Sequence, residues 1–314
     1  MRNVNDPIFH NEEAARAHFE ALRWPDGPVC PHCGVIGDAT ALKPKTKSTR
    51  AGVYKCRSCE KPFSATVGTV FERSHVPLHK WLYANHLICA SKKGMSAHQL
   101  HRLLGVTYKT AWFMAHRIRE AMTPLATEPM GGEGQPVQAD ETYFRVRKPR
   151  GGKGRARVVK GDEGHNKPVI GLVSGGKSRM FRVDSANVAT IEQILLTHTS
   201  PKAELHTDES KLYSDSGKDF AAHKTVKHSE DEYVRDGAHT NSIENFFSIF
   251  KRGMTGVYQH CSEKHLQRYL NEFSFRYDHR AGLEIDDTMR ADAAIRGVAF
   301  KRLTYRRTSG AGTA

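Results

Sequence analysis

Two Cys-x-x-Cys pairs near the N-terminus restrict the first part of this chain more tightly than any other feature of its 314 residues. Cys30-Pro31-His32-Cys33 and Cys56-Arg57-Ser58-Cys59 are separated by 22 residues. Two residues between thiols form a tight knuckle that turns both sulfurs toward one ion, and two knuckles complete a tetrahedral four-thiolate zinc site. The pattern predicts a zinc ribbon over about 25–72. Val53-Tyr54-Lys55 is a strand before the second knuckle, Phe63-Ser64 and Thr66-Val67 are strand formers after it, and Lys43, Lys45, Lys47 and Arg50 make a basic loop. Four thiolates leave no open coordination position, so such a zinc folds the module and does no chemistry. The competing reading of the spacing is a redox thiol pair. Cys89 and Cys261 stand alone in apolar surroundings and are expected in the core.

Charge narrows the partner. Lys and Arg total 48 against 34 Asp and Glu, a formal +14, which favours a polyanion and, first of all, nucleic acid. With 38% hydrophobic and 26% charged residues the chain can build cores and is not wholly disordered. Its length implies two or three folded units. No run of about 18 apolar residues is present, so no membrane span is expected. The N-terminus is polar with no apolar signal core behind it, and a cytoplasmic, nucleoid-associated protein with reduced thiols is expected.

Residues 77–123 read as helical. Trp81, Leu82, Leu87 and Ile88 share a face of a first helix, and Gly94 ends it. Ser96 caps a short helix with Leu100, Leu103 and Leu104, and Gly105-Val106-Thr107 makes a turn into a helix from Tyr108 to Met122. This resembles a helix-turn-helix whose second helix presents Tyr108, Lys109, His116, Arg117 and Arg119 to DNA. The bland alternative is a helical bundle whose polar face meets water. Gly131, Gly132 and Gly134 mark 125–136 as a linker.

Strands follow. Val137 to Phe144 carries the acidic pair Asp140-Glu141, Pro168 to Val173 and Met180 to Val183 form a hairpin about Gly175-Gly176, and Ala189 to His198 is a helix. Ala203 to Asp208 is a strand ending in an acid, Thr225 to His228 is a fifth strand, and a helix begins at Ser242 with Ile243, Phe246, Phe247 and Phe250 on one face. Three antiparallel strands, a helix, two strands and a helix are a ribonuclease H-like succession. It brings Asp140, Asp208 and Glu244 around one point, as two hard divalent ions (magnesium or manganese) require. Strand alternation turns Glu141 to the other face. Between the first two strands, Arg145 to Lys160 holds eight Lys and Arg and no acid, and Lys148, Arg150, Lys153 and Arg155 are expected on DNA.

Ala139-Asp140-Glu141-Thr142-Tyr143-Phe144, Leu205-His206-Thr207-Asp208-Glu209, His239-Thr240-Asn241-Ser242-Ile243-Glu244-Asn245-Phe246-Phe247-Ser248 and the following Phe250 to Tyr258 and Lys264 to Phe273 resemble the ISXO-like bacterial insertion-sequence transposases. The resemblance covers about 15–280. It implies a DDE-type core that cuts and joins double-stranded DNA at the terminal inverted repeats of its element. In that pattern Asp140, Asp208 and Glu244 are the metal-binding triad, with Asn241, one turn earlier, the other candidate for third ligand. Lys251, seven positions after Glu244, meets the DNA end, with Arg252 beside it. Synapsis of two ends implies a homodimer or larger assembly on DNA. The expected organisation is an α+β/α/β multidomain chain: an N-terminal helical segment (1–24), zinc ribbon (25–72), helix-turn-helix-like segment (73–124), linker (125–136), catalytic domain (137–280) and C-terminal helix and tail (281–314). The rival readings are a catalytically inactive or domesticated transposase-derived DNA-binding protein and a structure-specific nuclease on the same fold.

Overall fold

In the computed structural model, residues 2–43, 51–124, 128–146, 165–213, 216–226, 234–235 and 237–303 are described. Lys45, Lys47, Arg50, Lys148, Arg150, Lys153, Arg155 and His228 lie outside them. The chain divides into two units, one of residues 1–122 with 285–314 and one of residues 123–284. Among the described residues no helix is long and apolar enough to cross a membrane.

The first unit begins with α1 (Glu12–Arg23), capped by Asn11, whose side chain accepts from the Glu13 and Ala14 amides. The ribbon follows as an antiparallel sheet of β1 (Ala39–Ala41), β2 (Val53–Cys56) and β3 (Pro62–Ser64). Thr66-Val67 lies in a turn rather than a strand. The sheet rests on the end of α1. Trp24 meets Tyr54 and Phe63 edge-on at 5.6 and 5.8 Å, Tyr54 donates to Glu20 at 2.7 Å, and Arg23 donates to the Ala65 and Val67 carbonyls.

Helix α2 (Leu78–Ala90) has no side-chain cap of its own. Glu12 from α1 supplies one, accepting from the Leu78 and His79 amides at 2.9 and 3.1 Å. Helix α3 (Ala97–Leu104) carries the expected Ser96 cap as a full capping box with Gln99, and Gly105 ends it at φ 60°, a backbone that favours glycine. Helix α4 (Tyr108–Ala121) follows a Thr107 cap. The C-terminal helix α8 (Asp287–Arg296) returns to this unit, where Asn85 donates to the Ala291 carbonyl and Arg290 to that of Cys89. Cys89 is buried, as expected.

In the second unit the alternation of Val137 to Val146 makes β4, the central strand of a five-stranded sheet. It pairs with β5 (His165–Ser174), which turns through Gly175-Gly176 into β6 (Lys177–Arg182), both antiparallel. After α5 (Val188–His198), β7 (Glu204–Asp208) adds parallel to the other side of β4, and β8 (Ala222–Val226) parallel to β7. The order β6-β5-β4-β7-β8 is the ribonuclease H-like arrangement. The fifth strand begins three residues earlier than periodicity predicts.

Each face of this sheet has its own core. On one, Val137, Ala139, Ile170, Leu172 and Leu205 pack with Ile191 and Leu195 of α5. On the other, Val146, Val169, Val173 and Met180 pack with Ile243, Phe246, Phe247 and Phe250 of α6 (Asn241–Gly253) and with Leu266, Leu270 and Phe273 of α7 (Glu263–Asp278). Between these helices the chain makes a π turn, Met254–Tyr258, that no sequence signal indicated. It is held by Tyr258, whose hydroxyl donates at 2.5 Å to the fully buried Glu272, itself ion-paired with Arg276. Tyr258 is a packing residue, in contact with Tyr269 and Phe273.

Candidate active site

The parallel pairing of β4 and β7 decides where the two aspartates lie. Val137 pairs with Leu205 and Gln138 with His206. Two residues further along both strands stand Asp140 and Asp208. Residues two apart on a strand share a face, so both carboxylates emerge on the α6 side with Gln138 and His206, near enough for Asp208 to act on Asp140 electrostatically. Glu244 enters from the first turn of α6, and the hydroxyl of the buried Thr240 donates to its Oε1 at 2.6 Å. Asp208 accepts from the Ser210 amide at 3.1 Å and Asp140 from the Glu141 amide at 2.7 Å.

Gly171 makes this convergence possible. It pairs with Asp140 across β4 and β5, on the face that α6 covers. A Cβ there would lie 2.4 Å from Ile243 Cδ1 and 2.8 Å from both Met180 Sδ and Phe247 Cζ. The missing side chain lets α6 lie against the sheet beside Asp140. Gly171→Ala is expected to cost about 1–3 kcal/mol through overpacking, read as a lowered urea midpoint.

The charges report the convergence. Burial, then the negative charges of Asp208 and Glu141 and, more weakly, Glu244, push the Asp140 carboxyl up to about 7. Among the described residues no Lys or Arg pairs with Asp140 or Asp208. A partly buried cluster of carboxylates is a donor set of the kind that hard divalent ions take. The carboxylates are more widely spread than the thiolates described below, which among the described residues form the one group of ligand atoms all within 4.8 Å. Asn241 is exposed, whereas Glu244 is half-buried and within electrostatic reach of Asp140, which favours Glu244 as the third acid. Lys251 and Arg252 are exposed on the last turn of the same helix.

One acid of the site was set aside by periodicity. Glu141 does point to the α5 face, yet it lies near enough to raise both its own carboxyl and that of Asp140. Burial is the main cause at Glu141, with Asp208 contributing. It accepts at 2.7 Å from the hydroxyl of Tyr213, which is fully buried in the turn after β7. Glu141 thereby anchors the turn that follows Asp208, and Tyr213 is occupied as a donor. No local signal in the sequence joins residues 141 and 213. His206 is also buried, bonded to Glu204 at 2.6 Å.

At the zinc ribbon the four thiols close on one point. Cys30 and Cys59 sulfurs are 3.6 Å apart, as are those of Cys33 and Cys56. Sulfurs about 2.3 Å from a tetrahedral zinc would be about 3.8 Å apart, and a disulfide would need about 2.05 Å. The geometry suits a structural zinc held by all four thiolates.

The helix-turn-helix reading needs correction in its second half. His116, Arg117 and Arg119 are 1%, 9% and 2% exposed. Helix α4 contacts α2, α3 and α8, so its C-terminal half is interior. Arg117 donates to the Glu72 and Leu303 carbonyls and lies over the Phe113 ring. Arg117 and Arg119 are therefore structural and do not face DNA. Tyr108 and Lys109, in the first turn, remain exposed, Tyr108 stacked on His98 at 4.3 Å.

Residues 131–278 match the model of the ISXO2-like transposase domain, and residues 10–62 that of the transposase zinc-ribbon domain. An uncharacterized protein in transposable element ISH50 of Halobacterium salinarum is 26% identical over 286 residues, spanning 85% of this chain and 91% of that protein. Among solved structures, the Mos1 transposase paired-end complex with left transposon end matches at 12% identity and TM-score 0.30, over 65% of this chain and 70% of that one. The simian T-cell lymphotropic virus intasome in complex with PP2A regulatory subunit B56 gamma matches at 13% and 0.29, over 56% and 63%. The chain thus carries a transposase zinc ribbon followed by an ISXO2-like transposase domain on a ribonuclease H-like sheet.

Proposed function

We propose that this transposase binds the terminal inverted repeats of its insertion sequence, cleaves DNA there and transfers the freed ends to target DNA. The observation that carries the reading is the placement of Asp140 and Asp208 on the same face of adjacent parallel strands, with Asp140 within electrostatic reach of Asp208 and Glu244. These three carboxylates would hold magnesium or manganese, which when bound supplies activation of a water or 3′-hydroxyl and stabilisation of the departing 3′-oxygen. Asp140 and Asp208 give the site negative charge and fix it to the central strand of the sheet and its parallel neighbour. Thr240 aims the Glu244 carboxylate by its 2.6 Å bond. Glu141 and Tyr213 hold the turn after Asp208.

Lys251 and Arg252, exposed on the helix of Glu244, are suited to the phosphates of a DNA end. Tyr108 and Lys109 occupy the helix start from which helix-turn-helix proteins read base edges. With a formal charge of +14, phosphate contacts should supply much of the affinity and make it fall steeply with salt. The test is nicking and strand transfer on a duplex that carries the element's end, in magnesium or manganese. Asp208→Ala is expected to retain end binding and to lose cleavage by about 10³-fold. Normal cleavage by Asp208→Ala would overturn the assignment, and cleavage without joined products would point to a nuclease.

A further inference from the structure

We propose that Gln138 is a positioning residue for the acidic site: from β4 it caps the helix that carries Glu244, because that helix's own cap is turned toward the carboxylate. The proposal rests on the metal-dependent reading above and adds a residue that neither sequence motif nor charge singles out.

The first amides of a helix have no intrahelical acceptor, and a Thr at the N-cap position ordinarily supplies one. Thr240 holds that position in α6 and makes no capping bond. Its hydroxyl is directed to Glu244 instead. The acceptor comes from the sheet. Gln138 Oε1 receives the Ser242 amide at 3.0 Å and the Ile243 amide at 3.3 Å. Only the oxygen of a carboxamide can meet two N–H donors, so its orientation is set. Nε2 is then left to donate to Ser242 Oγ at 3.3 Å and His239 Nδ1 at 3.2 Å. Gln138 is 7% exposed, and its two acceptor and two donor sites are all used.

Position gives these bonds their consequence. Gln138 precedes Asp140 by two residues on the same strand and so shares its face. One side chain thus ties the first turn of α6, where Glu244 sits, to the strand that carries Asp140. The apolar residues Ile243, Phe246, Phe247 and Phe250 dock the helix as a whole. Loss of Gln138 should therefore free the first turn and leave the helix in place, a local effect.

Gln138→Leu keeps the size of the side chain and removes the acceptor. Hydrogen–deuterium exchange on the full-length, zinc-loaded protein should show the Ser242 and Ile243 amides exchanging about tenfold faster, with amides later in α6 unchanged. Calorimetric titration with manganese should show about 10- to 100-fold weaker binding, the usual effect of losing a group that orients a ligand. Gln138→Glu retains an acceptor for both amides, and these are expected to keep their slow exchange. Unchanged exchange in Gln138→Leu would overturn the cap, as would fast exchange in Gln138→Glu, which also decides the matter if Gln138→Leu does not fold. Fast exchange with unchanged manganese affinity would make the cap purely structural and overturn the positioning role. If wild type and Asp208→Ala bind manganese alike, the metal-site reading itself fails, while the exchange result still reports on the cap.

Discussion

Asp140→Asn is expected to abolish DNA cleavage, by about 10³-fold or more, and at the same time to stabilise the protein above neutral pH when no divalent ion is added. The two effects have one cause. Burial and the neighbouring acids lift the folded-state Asp140 carboxyl to about 7, from an ordinary value of 3.8. Between those values the folded chain holds a proton that the unfolded chain has released. Stability therefore falls as pH rises from about 4 to about 7, and the penalty is complete above that. The gap corresponds to on the order of 4 kcal/mol as an upper bound, since neighbouring acids and the backbone relax. Asn carries no charge and escapes the penalty. Thermal melts of zinc-loaded wild type and variant at about pH 5 and about pH 8 should differ mainly at the higher pH. Added magnesium or manganese should raise the wild type's midpoint and leave that of Asp140→Asn nearly unchanged. Equal midpoints at both pH values, with and without metal, would show that no acidic cluster is strained at this position.

Removing zinc is expected to have the second large effect, confined to the first unit. The ribbon strands are three or four residues long, too short to persist without a cross-link. A structural zinc contributes about 10–16 kcal/mol of folding free energy in comparable small modules. Cys56→Ser removes a ligand that is completely buried. The variant should bind no zinc, against one ion per wild-type chain by metal analysis. Because Trp24 and Glu20 lean on β2 and β3 and Arg23 bonds the turn that follows β3, loss of the ribbon should also loosen α1, visible as faster amide exchange there. The ribonuclease H-like sheet has its own cores and should keep its exchange protection. Cobalt substitution should give the intense visible bands of a tetrahedral thiolate site in the wild type. Octahedral spectra, or a Cys56→Ser protein with full zinc content, would contradict the four-thiolate assignment.

Much of this architecture is legible in the chain because its signals are local. Cys-x-x-Cys spacing is a property of four neighbouring residues. The Ser96 cap needs only Gln99, and the Gly105 turn needs only a backbone that tolerates a positive φ. Asp140 and Asp208 could be placed because each ends or lies within a short apolar run whose order with the other elements specifies one topology. The misreadings share a different property. Arg117 and Arg119 look like the polar stripe of a DNA-facing helix, and only the packing of α2, α3 and α8 around α4 shows that both are enclosed, Arg117 bonded to two carbonyls. Alternation places Glu141 on the far face correctly. What alternation cannot show is that a tyrosine 72 residues later turns that carboxylate into an anchor for the segment after Asp208.

By itself, the sequence determined which chemical groups the protein possesses and roughly which element carries each: four thiolates on two knuckles, two aspartates on strands, and a glutamate and a lysine on one helix. Those assignments follow from spacing and periodicity, which depend on backbone geometry within a few residues. The tertiary structure alone decided whether these groups meet and what holds them together. The register of β4 against β7 sets Asp140 beside Asp208, the bare Cα of Gly171 lets α6 approach, and Gln138 ties the start of that helix to the strand. Such contacts join residues 31 to 105 positions apart, and they exist only once burial of both faces of the sheet has selected a single packing.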